Sequence, residues 1–211
     1  NYVDAKSYEE KNKYFFDQYH QGTLDIAEYA GFSIGSFIEI GKERLPEILD
    51  KFLLTVIEPM INIYALRLIH KHYENDDQLL LASATNKVLV DLIAKRLEFP
   101  NVIATIPEQV NGMFTGKILE PSALGEGKLS RVKEWMVKNG YKDFSGTTFY
   151  SDSINDLPLL ESVEKPIAVN PDDKLITSLK YLTSGLSLLK YARDNGCSWD
   201  VCIFFTAAYG Q

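Results

Sequence analysis

Between residues 59 and 177 the apolar positions switch between two rhythms. Leu79-Leu80-Leu81-Ala82 and Pro166-Ile167-Ala168-Val169 are short continuous apolar runs, the pattern of strands buried on both faces of a parallel sheet. Residues 102–106 and the β-prone run 147–150 predict two more strands. The intervening stretches have helical spacing. Pro59 opens one over residues 60–73. Another spans 87–98, with Leu89, Leu92, Ile93 and Leu97 on one side, and a third spans 129–138 and closes at Asn139-Gly140. Asn111-Gly112 predicts a hairpin turn between Gln109-Val110 and Met113-Phe114. The alternation predicts an α/β fold whose parallel sheet carries helices on both faces.

Residues 4–58 show no strand pattern and read as a helical module. Residues 8–19 form a first helix, broken by Gly22. Thr23 is placed to cap a second carrying Leu24, Ile26 and Tyr29. Glycines punctuate residues 31–41. Pro46 opens a third helix, with Ile48, Leu49, Phe52, Leu53 and Val56 expected to point inward. Residues 178–192 are compatible with helix, and Val201-Cys202-Ile203-Phe204-Phe205 with one more strand. The chain divides into a helical module (1–58), an α/β core (59–177) and a tail (178–211) whose role stays open.

Composition adds limits. The 211 residues are 45% hydrophobic and 24% charged, which suits a globular domain with a sizeable core. A formal net charge of −7 without a long basic run speaks against a nucleic-acid partner. No uncharged apolar stretch reaches the roughly 18 residues of a membrane span, so no membrane partner is expected. Residues 1–4 do not resemble a signal peptide. Cys197 and Cys202 have no zinc-pair spacing and imply no disulfide framework, so a reducing, cytoplasmic setting is expected. His20, His70 and His72 are scattered. The last two face different sides of a helix and are expected at the surface.

The candidate chemistry centres on Ser151-Asp152-Ser153-Ile154-Asn155-Asp156, which follows a strand and precedes a proline-led helix. Open α/β sheets hold ligands at the carboxyl ends of their strands. Two close carboxylates and an amide are hard oxygen donors of the kind that suits Mg2+. Alone, the stretch is better explained as a solvated acidic turn. A calcium loop fits worse, since Leu157 stands where its glycine belongs and Val163 where its glutamate belongs.

Two other features share the predicted sheet edge. Ser83 follows a hydrophobic strand, and Lys128 follows Gly125-Glu126-Gly127 at a helix start. A hydroxyl and helix-start N–H groups hold phosphoryl oxygens. A lysine offsets charge on a phosphate and on an attacking carboxylate. Each residue alone reads as a cap or a surface lysine; the ordered set suits a phosphate. A nucleotide-binding P-loop at Gly127-Lys128 fails, with Ser122 at its first glycine and Leu129 at its Ser/Thr.

With these residues in order, the chain resembles the haloacid dehalogenase-like phosphatases. It is most similar to the phosphoserine phosphatase-like subfamily with a helical cap. Leu80-Leu81-Ala82-Ser83-Ala84-Thr85-Asn86 matches the second motif, Gly127-Lys128 the third and Ser151-Asp152-Ser153-Ile154-Asn155-Asp156 the fourth. Tyr19-His20-Gln21-Gly22-Thr23-Leu24-Asp25 and Ile167-Ala168-Val169-Asn170-Pro171-Asp172 are similar as well. The resemblance implies a Rossmann-like three-layer core with a small all-helical cap. It implies Ser83, Ala84 and Lys128 as substrate-binding, with Ser83 and Lys128 catalytic. It also implies Mg2+ held by Asp152, Asn155 and Asp156, and a small phosphorylated metabolite such as phosphoserine or histidinol phosphate as substrate.

Two departures stand out. The family opens with a strand ending Asp-x-Asp, which supplies the nucleophile and the general acid/base; no Asp-x-Asp occurs in these 211 residues. The expectation is that this segment lies upstream of Asn1; a natural, non-catalytic relative is the alternative. Loss of that central strand would destabilise the sheet. The tail is longer than the family's usual ending. Residues 201–205 are candidates to pair with the sheet, even in the vacated place, but carry no aspartate.

Overall fold

A computed structural model describes residues 5–179, 187–189 and 202–206. Two helices come first, α1 (Ala5–Gln21) and α2 (Ile26–Ile40). The cap of α2 is Asp25 rather than Thr23: its carboxylate accepts from the Ala27 and Glu28 N–H groups at 2.9 and 3.0 Å. The helix continues through Gly31 and Gly35, where glycine punctuation suggested a break. Ile34 and Phe37 are buried on it, and that packing overrides the weak helix preference of glycine.

Helix α3 (Leu45–Phe52) passes through a π-helical turn, Leu53–Ile57, into α4 (Glu58–Met60). The wider turn shifts the phase of the apolar face. Val56, expected inside, is 40% exposed, and Ile57 is buried at 6%. The chain breaks at Ile61, and Asn62 caps α5 (Ile63–Glu74).

The strands are β1 (Gln78–Asn86), β2 (Asn101–Val110), β3 (Met113–Leu119), β4 (Thr147–Ser151), β5 (Lys165–Val169), β6 (Ser187–Leu189) and β7 (Cys202–Thr206). The helices between them are α6 (Lys87–Arg96), α7 (Glu126–Lys138), α8 (Leu157–Leu160) and α9 (Asp173–Leu179). They form one sheet in the order β3-β2-β1-β7-β4-β5-β6. Pairs β1/β2, β4/β5 and β5/β6 are parallel; β3 closes a hairpin on β2. The predicted hairpin is longer than its turn suggested, with pairing from Ile106↔Leu119 to Val110↔Met113.

Strand β7 takes the centre. It runs antiparallel to both neighbours, with Ala82↔Cys202 and Tyr150↔Ile203 among its partners. The tail therefore fills the place between β1 and β4, in the opposite direction to the other core strands. Residues 187–189, compatible with helix by sequence, pair instead as a strand, with Ile167↔Ser187 to Val169↔Leu189.

Strand β1 shows why the sheet needs two helical layers. Leu79 and Leu81 face one core, with Ile57, Ile69, Val90 and Ile93; Leu80 and Ala82 face the other, with Leu129, Val132, Leu159 and Leu160. All four strand residues are fully buried. Helices α5 and α6 cover the first face, α7, α8 and α9 the second. No described helix is long and apolar enough to cross a membrane.

Candidate active site at the carboxyl edge of the sheet

Strand β4 ends at Ser151, and the acidic loop begins there. The Ser151 hydroxyl donates to Asp156 Oδ2 at 2.7 Å and accepts from the Ser153 N–H at 3.1 Å. The Ser153 hydroxyl oxygen accepts from the Asn155 N–H at 3.2 Å. These local bonds explain the serine spacing: each hydroxyl satisfies a backbone donor in a turn too tight to form its own ladder. Asp156 closes a short 3-10 turn, Ile154–Asp156, and leads into α8.

Lys128 reaches this loop from the first turn of α7. Its ammonium forms an ion pair with Asp156 Oδ1. Lys128 is 2% exposed and Asp156 1%, so the pair is almost wholly withdrawn from water. A charge so buried needs a partner. Gly127 makes the approach possible: a Cβ there would sit 2.1 Å from the Ser122 carbonyl oxygen, so only glycine fits. Gly125, at φ +54, turns the chain into the helix.

Ser83 sits at the carboxyl end of the buried part of β1, 1% exposed, and its oxygen accepts from the Thr85 N–H at 3.2 Å. The carbonyl of Ala84 accepts from the Thr105 hydroxyl at 2.7 Å, which anchors the turn to β2. Asn86 caps α6 through the Leu89 N–H and donates to Ser33 on α2 at 3.2 Å. Lys128, Ser151, Ser153, Asn155 and Asp156 thus form one connected cluster. Ser83 and Ala84 lie on the same sheet edge, one strand away across the start of β7.

Three positioning residues had no role assigned from their own chemistry. Tyr19, at the end of α1, donates its hydroxyl to Ser153 Oγ at 3.2 Å, and its carbonyl accepts from Asn155 Nδ2 at 3.2 Å. The helical module is thereby tied to the acidic loop. Asp172 accepts from Ile154 N–H at 2.9 Å and Leu175 N–H at 2.6 Å, while its own N–H donates to the Asp152 carbonyl at 2.8 Å. Thr105 is the third. Tyr19 and Asp172 did lie in segments that resemble the subfamily; nothing in sequence marked Thr105.

Asp152 is half-buried at the mouth of the loop. Both oxygens of Asp156 are engaged, one by Lys128 and one by Ser151. Among the described residues no three His, Cys, Asp or Glu side chains gather as a metal-binding group. The half-buried Asp152 carboxylate, with the Asn155 amide three residues on, fits Mg2+ nonetheless, because that ion keeps several waters and commonly takes only one or two protein carboxylates beside a substrate phosphate.

A family model for haloacid dehalogenase-like hydrolases matches residues 16–161, which include the Lys128–Asp156 pair and the Ser83 strand. The chain belongs to this family. A protein of Neisseria meningitidis named histidinol-phosphatase is 35% identical over 176 residues, 82% of this chain and 79% of the relative. Phosphoserine phosphatase SerB1 of Mycobacterium tuberculosis is 32% identical over 151 residues; these are 71% of this chain but 46% of that protein. A crystal structure of a Bordetella pertussis protein of unknown function aligns with a TM-score of 0.78 at 31% identity, covering 87% of this chain and 83% of that one. A probable phosphoserine phosphatase from Vibrio cholerae shares the fold, with a TM-score of 0.59 at 16% identity. The haloacid dehalogenase-like core accounts for the placement of the acidic loop at the carboxyl edge of a Rossmann-like sheet.

Proposed function

We propose that this chain is most of a Mg2+-dependent phosphatase acting on a small phosphomonoester of the histidinol-phosphate or phosphoserine class. The observation that carries this reading is the buried Lys128–Asp156 pair at the same sheet edge as Ser83. Burying a lysine there costs much unless its charge has a use; holding it against Asp156 sets one cation where a phosphate dianion would enter. The resemblance to proteins named histidinol-phosphatase and phosphoserine phosphatase supports the substrate class.

In this reading the Ser83 hydroxyl donates to a phosphoryl oxygen, beside the Ala84 backbone. Lys128 balances charge on the phosphate, and Asp156 keeps Lys128 aimed. Asp152 would hold Mg2+ directly, with Asn155 beside it and Asp156 supporting the shell from behind, through the bonds its two oxygens make to Lys128 and Ser151; the ion supplies charge neutralisation at the phosphoryl oxygens. An aspartate outside these 211 residues attacks phosphorus and releases the alcohol; water then cleaves the aspartyl-phosphate to free phosphate and the carboxylate.

The absence of Asp-x-Asp from these residues, with β7 in the central place, favours one second reading: a non-catalytic phosphate-binding protein on the same scaffold. The deciding experiment measures phosphate release from histidinol phosphate, phosphoserine and an aryl phosphate by the product of the complete gene, with Mg2+ and with chelator. Mg2+-dependent release, lost in Asp152→Ala, is expected. No release, with inorganic phosphate still bound in a Ser83-dependent manner, would select the second reading.

A further inference from the structure

Strand β2 is longer than the partners on its outer edge. Its inner edge pairs with β1 over Asn101, Val102, Ile103 and Thr105, whereas β3 pairs with the outer edge only from Ile106 onward. Among the described residues no strand covers that outer edge over residues 101–105. Along an extended strand every second residue turns its N–H and C=O to a given edge, so this stretch offers unpaired backbone groups.

The opening is built into the fold. After β3 the chain does not follow β2 back. Arg131 on α7 draws it aside, donating to the Leu119 carbonyl at 2.9 Å and the Pro121 carbonyl at 2.6 Å. The Ala123 N–H then crosses to the Thr105 hydroxyl at 3.1 Å. What remains is a cleft of about 210 Å³ along residues 102–104, with α6 on one sheet face and α7 on the other. Trp135 supplies an apolar wall. Lys87, Arg131 and Lys138 line it, set against Glu134; Lys87 also makes an exposed ion pair with Asp91 one helical turn on, so three cations face two carboxylates.

A cationic cleft over an open strand edge, in a chain of net charge −7, selects its occupant. A second copy pairing edge to edge about a two-fold axis would set these cations against themselves. We propose that the β2 edge is a docking site for an extended acidic segment of a partner protein, which adds as a strand beside residues 101–105. Its backbone bonds to β2, its carboxylates meet Lys87 and Lys138, and an apolar side chain lies against Trp135. This site is separate from the acidic loop.

The test is fluorescence polarisation with the whole chain and a labelled peptide of alternating glutamate and valine. Saturable binding that weakens with added salt is expected. It should fall about tenfold in Lys138→Glu, which lies exposed at the end of α7, and further in Lys87→Glu/Lys138→Glu. The same peptide with every second amide N-methylated, in either register, should lose binding in the register whose donors face β2. Equal binding of both N-methylated forms would overturn the proposal, since charge alone would then explain it. So would no binding up to about 1 mM peptide. A dimer in sedimentation that dissociates in Lys138→Glu would also overturn it, by making a second copy the occupant.

Discussion

Lys128 and Asp156 form an ion pair inside the protein, across 28 residues of chain, with less than a twentieth of either side chain exposed. Removing one partner strands the other charge away from water. Lys128→Met is expected to lower the stability of the fold by about 3–5 kcal/mol. The double variant Lys128→Met/Asp156→Leu should lose less than the sum of the single changes, because no bare charge remains. Urea unfolding of the four proteins checks this; additive losses would mean that the pair is not coupled.

Two glycines in helices should respond oppositely to alanine. At Gly127 the added Cβ would meet backbone, the Ser122 oxygen at 2.1 Å and its carbonyl carbon at 3.2 Å. Gly127→Ala should therefore cost about 1–3 kcal/mol through overpacking. At Gly35, within α2, a Cβ meets nothing within 4 Å. Gly35→Ala should stabilise by about 0.5–1 kcal/mol. Thermal melts of both variants read the contrast directly.

His72 predicts an acid sensitivity of the fold. Its Nδ1 lies 2.6 Å from Asp77 and its Nε2 3.0 Å from the Tyr150 hydroxyl. Burial lowers its pKa below the ordinary 6.5, against the opposing pull of Asp77. The unfolded chain then binds the proton more readily than the folded one. This contribution to stability is fully present above 6.5 and is lost as pH falls through the folded value. The melting temperature should drop on that side, and less steeply in His72→Gln. Parallel pH profiles for the two proteins would refute the assignment.

Tyr19→Phe tests the tie between the helical module and the acidic loop. It deletes the hydroxyl bond to Ser153 and leaves the carbonyl bond from Asn155 in place. A loss of about 0.5–1.5 kcal/mol is expected. Amide exchange should quicken across residues 153–156 before it does so in β1. Unchanged exchange in that loop would place the tie elsewhere.

Much of the fold was legible in local pattern. Leu79 to Ala82 is a strand buried throughout, as a continuous apolar run requires, and Asn111-Gly112 turns the hairpin. Pro166 to Val169 is a strand as well, but only Ala168 in it is buried, since β5 lies one strand from the edge of the sheet. The acidic loop lies at the end of β4, and Lys128 opens α7. His72 was not legible: its neighbours Lys71 and Tyr73 are exposed, and its partner Tyr150 is 78 residues away.

Hydrophobic period, turn residues and helix starts depend on a few neighbouring positions, so the amino-acid sequence alone determined the α/β alternation and the order of the candidate residues. Pairings between distant segments depend on which surfaces remain to be covered once the cores have packed. Tertiary structure alone decided that Cys202–Thr206 runs antiparallel between β1 and β4, that a π-helical turn exchanges Val56 for Ile57, and that Asp156 faces Lys128. In the last two cases burial selects the partner: an inward side chain or a counter-charge that no local rule names.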